Sequence, residues 1–287
     1  VRGLWLLAYH ARLGLNRRNG VFYGNSDTRF AARRWVAAHA NVSTYGEAYA
    51  AFDARRAGMD DREIAALAKG GHSGFSAEDR AALEFARMMT VESPKVTDAQ
   101  FADLVKSFGE KKTAAMVLGM AYANFQDRQL IVLGATVEEG GPMAPVEDGG
   151  PLAPLAVTFD KTSIPPVPPR DDPSKRSGPA VPTRVDDPEW TAEVFDDLQK
   201  GLSAQRSNEG RIRVPTYEQM LAKLPPGAPR PNSPTRIKWT LVCMGYQPEL
   251  AMAWSACTRS FGEEAKQDRV FEESQFWVVT RTIHCFY

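Results

Sequence analysis

Twelve of the 20 prolines in this 287-residue chain lie between Pro142 and Pro188, centred on Pro165-Pro166-Val167-Pro168-Pro169, with the pairs Gly140-Gly141 and Gly149-Gly150 at the near end. Proline has no backbone N–H to give to a helix or sheet, and its ring fixes φ. A stretch built this way favours extended polyproline II and runs as a linker. It therefore separates residues 1–137 from residues 188–287, with 138–187 as the connection. Each flank has the length of an ordinary domain.

The residues available on either side suit a packed core, since 43% are hydrophobic and 24% charged, a common globular mix. Lys plus Arg number 35, equal to Asp plus Glu. With no basic excess or stripe, a nucleic-acid partner is not expected. Cys243, Cys257 and Cys285 are too few and too scattered for a disulfide framework. None has a second Cys or His at ligand spacing, so neither a metal nor another cofactor is expected. The apolar opening Leu4-Trp5-Leu6-Leu7-Ala8-Tyr9 is too short for a membrane span and runs into Arg12, Arg17 and Arg18. It reads as an amphipathic core helix, the tail of a signal sequence being the other reading. Starting on Val1 and ending on Tyr287, with neither an initiator Met nor a closing cap, the chain reads as a fragment.

Before the linker the periodicity is helical. Residues from about Thr28 to Ala57 are rich in alanine and aromatics, and Gly58 is placed to end them. Asp60 or Asp61 caps a short helix through Ala68, closed by Gly70-Gly71. Ser76, followed by Asp79, starts the next, with Leu83, Phe85, Ala86 and Met89 as its buried side and Pro94 as its stop. Thr97 caps a helix carrying Phe101, Leu104, Val105 and Phe108, and Gly109 separates it from a long helix over Glu110 to Leu133. No alternating strand pattern occurs, so the first domain reads as all-α. In the second half, Asp187-Pro188-Glu189 starts a helix whose face carries Trp190, Val194, Phe195 and Leu198. Thr216 begins a short helix ahead of Pro225-Pro226, and another runs from Pro248-Glu249 through Leu250, Trp254 and Cys257.

The terminal segment Phe276-Trp277-Val278-Val279-Thr280-Arg281-Thr282-Ile283 has strand propensity. An internal repeat argues otherwise. Residues 35–45 align without gaps on residues 277–287, sharing the Trp35/Trp277, Val36/Val278 and Tyr45/Tyr287 pairs, and Ser43 falls opposite Cys285. The first copy has the alanine content of a helix, so both copies are expected to be helical, with tertiary burial overriding local preference.

These residues resemble the carboxymuconolactone decarboxylase / alkylhydroperoxidase D family, an all-helical fold. The likeness covers about Thr28 to Gly134 and runs through Arg55-Arg56-Ala57-Gly58-Met59, Asp61-Arg62-Glu63-Ile64-Ala65-Ala66-Leu67, Ser76 to Ala86, Val96-Thr97-Asp98 and Ala123 to Arg128. The second half looks like the start of another such domain, through Gln247-Pro248-Glu249-Leu250 and Glu272 to Tyr287. The expected architecture is two alkylhydroperoxidase D-like helical domains joined by the Pro-rich linker, the second incomplete. Homo-oligomers are common in the family.

In the redox branch of that family a Glu precedes the first Cys of a Cys-x-x-Cys by twelve residues, the interval between Glu273 and Cys285, and a His follows the second Cys by four. The second Cys would be the position after Tyr287. In the first copy the matching positions are Ala31, Ser43, Gly46 and Ala50. The first domain thus reads as a degenerate copy and the second as the active one. Twelve residues of unbroken helix span about 18 Å, so Glu273 and Cys285 can cooperate only across a helix break. That break is expected at Thr282-Ile283-His284, matching Asn41-Val42, with Cys285 at a new helix N-terminus that favours its thiolate. The resemblance implies that the second Cys attacks a peroxide, Cys285 resolves the sulfenic acid as a disulfide, and Glu273 takes part in proton relay. It implies a small-molecule peroxide and a thiol electron donor as partners. Two other functions fit the family: a cysteine-independent lactone decarboxylase relying on His and Glu, and a non-enzymatic oligomeric scaffold. Cys243, Cys257, His10, His39, His72 and His284 read as structural or surface residues. Glu47 and Tyr49 read as packing beside a vestigial pocket, and Asn124 and Arg128 as bonding across helices.

Overall fold

The computed structural model describes residues 27–70, 72–142, 200, 203, 210–226, 228, 230, 234–252, 254–255, 258 and 268–282. Every regular element among the described residues is helical. Packing divides the chain into two compact units. One takes in the bundle before the proline-rich stretch together with the described segments from Gly210 to Glu272, and the other resumes at Glu273.

At the centre of the first unit is α1, Asp27–Ala40. Residues 30–38 are all buried, even Arg33 and Arg34. A helix without a solvated face has to be surrounded, and α1 packs on α2 (Thr44–Arg56), α3 (Asp61–Ala68), α4 (Ala77–Val91) and α5 (Asp98–Val132). Phe30, Trp35 and Val36 join Ala50, Ala54, Ile64, Leu67, Leu83, Met120 and Tyr122 in one core. Each large side chain so buried contributes about 1.5–3 kcal/mol relative to exposure. The alanines of α1 and α2 are what let the helices approach closely.

Local chemistry sets the boundaries. Asp60 with Glu63, and Thr97 with Gln100, form reciprocal capping boxes at the starts of α3 and α5. Ser76 accepts from the Asp79 amide at the start of α4. Gly58, at φ 100°, closes α2: its amide reaches Arg55 O, and that of Met59 reaches Ala54 O. Gly109, at φ 75° and ψ 161°, breaks α5 where the sequence pattern divides it. Before that break, Phe101 and Leu104 join Phe85 of α4, Val96 and Met116 in a second core, with the Phe85 and Phe101 rings edge to face at 6.3 Å.

Three further pieces belong to the first unit. Thr216 and Gln219 box the start of α6, Tyr217–Leu221. The helix α7, Lys238–Tyr246, has no counterpart in the sequence expectations, because Ile237 offers no side-chain cap and Thr240, Val242 and Gly245 weaken the propensity. Burial of Leu241 and Cys243 holds it. Helical residues 248–252 follow; Leu250 enters the first core, and the Trp254 ring meets Phe125 of α5 edge-on at 5.3 Å. Gln247 is buried and donates from Nε2 to Lys111 O at 3.0 Å.

The last element, α8, is Arg269–Thr282. Helix is therefore the outcome where propensity favoured strand. The reason differs from the expected one: Phe276, Trp277, Val278 and Val279 are 65%, 46%, 44% and 54% exposed, so burial does not supply the override. The helix expected from Asp187 lies outside the described residues.

Candidate functional site

Of the two residues to which the redox resemblance assigns chemistry, Glu273 sits exposed on α8, and Cys285 lies outside the described residues. Cys257, His10 and His284 also lie outside them. The geometry of the repeat can be followed in its first copy, where α1 turns into α2.

That elbow is a Schellman turn followed at once by an N-cap. Ser43 N donates to Ala38 O at 2.9 Å and Val42 N to His39 O at 3.0 Å, which closes α1. The position that usually takes glycine is filled by Val42 at φ 59°, exposed to solvent. Ser43 then caps α2, its Oγ accepting from the Gly46 amide at 3.1 Å. The break thus falls at Asn41-Val42, the position expected from the sequence, with the counterpart of Cys285 at a helix N-terminus. Ala31 and Ala50, the positions that the resemblance would give to a Glu and a His, are both buried in the first core. Positions nineteen residues apart in sequence are brought into one cluster by the turn.

Behind the elbow lies a buried polar network that joins three helices. Asn41 donates from Nδ2 to Asn124 Oδ1 at 2.9 Å and to Asp127 Oδ2 at 3.2 Å. Asn124 in turn donates to Thr90 Oγ1 at 3.1 Å and to Met120 O at 2.9 Å. Ser43 hydrogen-bonds Asp127. Burial pushes the Asp127 carboxyl above the ordinary aspartate value, against the opposing effects of the Asn41 and Ser43 hydrogen bonds and of Arg34. Gly46 is required here. A Cβ at that position would overlap Asp127 Oδ1 and lie 2.8 Å from Ser43 Oγ. The space beside Gly46 is therefore filled by the carboxylate of Asp127 from α5. Ser43 is 1% exposed and hydrogen-bonded on both sides, so it has no route to a substrate.

The outer side of the elbow pairs two residues that the sequence read separately, His39 as structural or surface and Glu47 as packing. His39 Nδ1 and Glu47 Oε1 are 2.9 Å apart, and the imidazole stacks on Trp35 with centroids 4.8 Å apart and planes at 15°. Their side chains are 54% and 31% exposed, so solvent reaches both. When the neutral ring donates from Nδ1 to the carboxylate, Nε2 is left as the acceptor, which is the arrangement of a general base. Eight residues separate the two in sequence, an interval that brings them together only because the helix turns. The one available signal was the helix break itself.

Tyr45 and Tyr49, further along α2, stack at 4.7 Å and each donates a hydroxyl to Glu138 at 2.7 Å. Tyr49 is accordingly a packing residue, and Asn124 bonds across helices. Burial raises the Cys243 thiol to about 11, which leaves it protonated and unreactive. Among the described residues no group of three or more His, Cys, Asp or Glu stands close enough to hold a metal ion. Nor is any described helix long and apolar enough to cross a membrane. No family model, characterised protein or solved structure matches the chain.

Proposed function

We propose that this chain belongs to a thiol-dependent peroxidase or disulfide oxidoreductase of the alkylhydroperoxidase D type, with its active site in the second half at Cys285 and Glu273. The supporting observation is the elbow at 41–43, where the residue aligned with Cys285 caps a new helix and takes that helix's amide N–H onto its side chain. A sulfur in such a position is held in its thiolate form by the helix dipole and the amide donor. Cys285 would resolve the sulfenic acid formed on a second Cys at the position after Tyr287, and Glu273 would relay protons through a His four residues beyond that. The oxidant is a small peroxide and the reductant a thiol, and a homo-oligomer is the assembly in keeping with this reading. Peroxide consumption driven by a dithiol donor, measured on a chain extended through that motif, tests it. Cys285→Ser should abolish turnover; full activity in that variant would overturn the proposal.

The His39–Glu47 pair favours a second reading, a cysteine-independent acid–base enzyme of the lactone decarboxylase kind. In that case His39→Gln, and not Cys285→Ser, removes activity toward a carboxylated lactone.

A further inference from the structure

We propose that a hollow formed by α5 just past its kink, the segment around α6 and the C-terminal end of α7 binds a small organic phosphate. The hollow measures about 440 Å³, and Lys111 of α5 lines it together with Arg213 and Lys223 from either side of α6. Arg213 and Lys223 are near neighbours in sequence, and Lys111 joins them across roughly a hundred residues, so the convergence is a tertiary arrangement and not a local run of charge.

Another polar group at the hollow also offers donors. Gln219 is a lining residue whose Oε1 is taken by the Thr216 amide at 3.1 Å, so its NH₂ group is what it can present to a ligand. None of the lining residues is acidic. The neighbouring Glu110 is committed to the wall: Oε1 accepts the Arg213 amide at 3.1 Å and Oε2 the Tyr246 hydroxyl at 2.7 Å. Oε2 also pairs with Arg213 Nε at 3.9 Å, a separation too long for a hydrogen bond, and the Arg213 side chain is 67% exposed. Burial and the Glu110 bond push the Tyr246 phenol up to about 12, so it stays neutral with its one hydroxyl hydrogen held by the wall. Gln247 ties the backbone of Lys111 to the end of α7, so the hollow is braced before any ligand arrives.

The floor is apolar. Gly245 lies so close to Pro215 that a Cβ would fall 2.7 Å from its Cγ, and Pro248 and the Tyr246 ring complete the surface. Cations and donors around an apolar floor suit a ligand with an acceptor-rich anionic group on a small flat body. A phosphomonoester has up to two charges and three free oxygens for three separated cations, whereas a carboxylate has one charge and two oxygens. The proposal is independent of the redox reading.

Isothermal titration of the 287-residue chain with phenyl phosphate tests the site, with benzoate as the carboxylate comparator and vesicles bearing a phosphomonoester headgroup as the lipid source. Saturable phenyl phosphate binding is expected, stronger than that of benzoate and weakened by added salt. Lys223→Gln and Arg213→Gln should each weaken it about tenfold through loss of a charge-assisted contact. Lys95→Gln, whose ammonium pairs with Glu92 at 2.7 Å, should leave it unchanged. Denaturation curves of the variants show whether the fold is kept. Absence of saturable binding, indifference to both variants, equal loss in Lys95→Gln, or binding to vesicles without binding to phenyl phosphate would each overturn the proposal.

Discussion

Val42 holds a left-handed conformation at φ 59° in the turn that ends α1, and its side chain is 78% exposed. A β-branched residue is strained there, and no packing returns the cost. Val42→Gly is expected to stabilise the fold by about 1 kcal/mol, the relieved strain being partly offset by the greater freedom of glycine in the unfolded chain. Urea denaturation reads this directly. Asp127 sets a pH dependence of unusual sign. Its folded value is raised by burial, so between the ordinary value of 3.8 and the raised one the folded chain holds a proton that the unfolded chain has released. Its contribution to stability therefore grows as pH falls through the raised value toward 3.8 and is lost as pH rises through it. Asp127→Asn should flatten this part of the profile, visible as the difference between wild-type and variant stabilities across mildly acidic pH. A difference that does not vary with pH would mean the carboxyl titrates normally. Neither feature was readable in advance: Val42 is an ordinary strand-former by type, and Asp127 meets Asn41 across 86 residues of sequence.

The helices were largely legible, because their ends are marked by local chemistry. Asp60, Thr97 and Thr216 bond amides within their own first turns, and Gly58 and Gly109 adopt positive φ that other residues resist. Such signals lie within a few residues and survive without tertiary context. Lys238–Tyr246 shows the converse: with no side-chain cap at Ile237, only the burial of Leu241 and Cys243 accounts for it. The kink in Asp98–Val132 gives a test at this scale. Gly109, at φ 75° and ψ 161°, has nothing within 4 Å of a built Cβ, so substitution there meets only backbone strain. Gly109→Ala should destabilise by about 1–3 kcal/mol, whereas Gly74→Ala, at a position equally open and without positive φ, should change little. Equal effects in thermal melts would mean that the kink is not held by glycine.

Across the whole molecule, composition marks the proline-rich stretch, and packing adds that residues well beyond it complete the first unit. Leu250 is 8% exposed within the first core, and Trp254 abuts Phe125. Leu250→Ala is therefore expected to cost about 2–4 kcal/mol in the unfolding transition that also reports on Trp35; a loss confined to residues after the linker would contradict this packing. The sequence alone determined that the chain is helical, where most helices begin and stop, and that a break falls at Asn41-Val42, since periodicity, capping and turn residues act over a few positions. Tertiary structure alone decided the rest. It buried Asp127 behind the elbow, set His39 against Glu47, and drew Lys111, Arg213 and Lys223 to one hollow. Side chains remote in sequence meet only when helices pack, and no local spacing records which faces will do so.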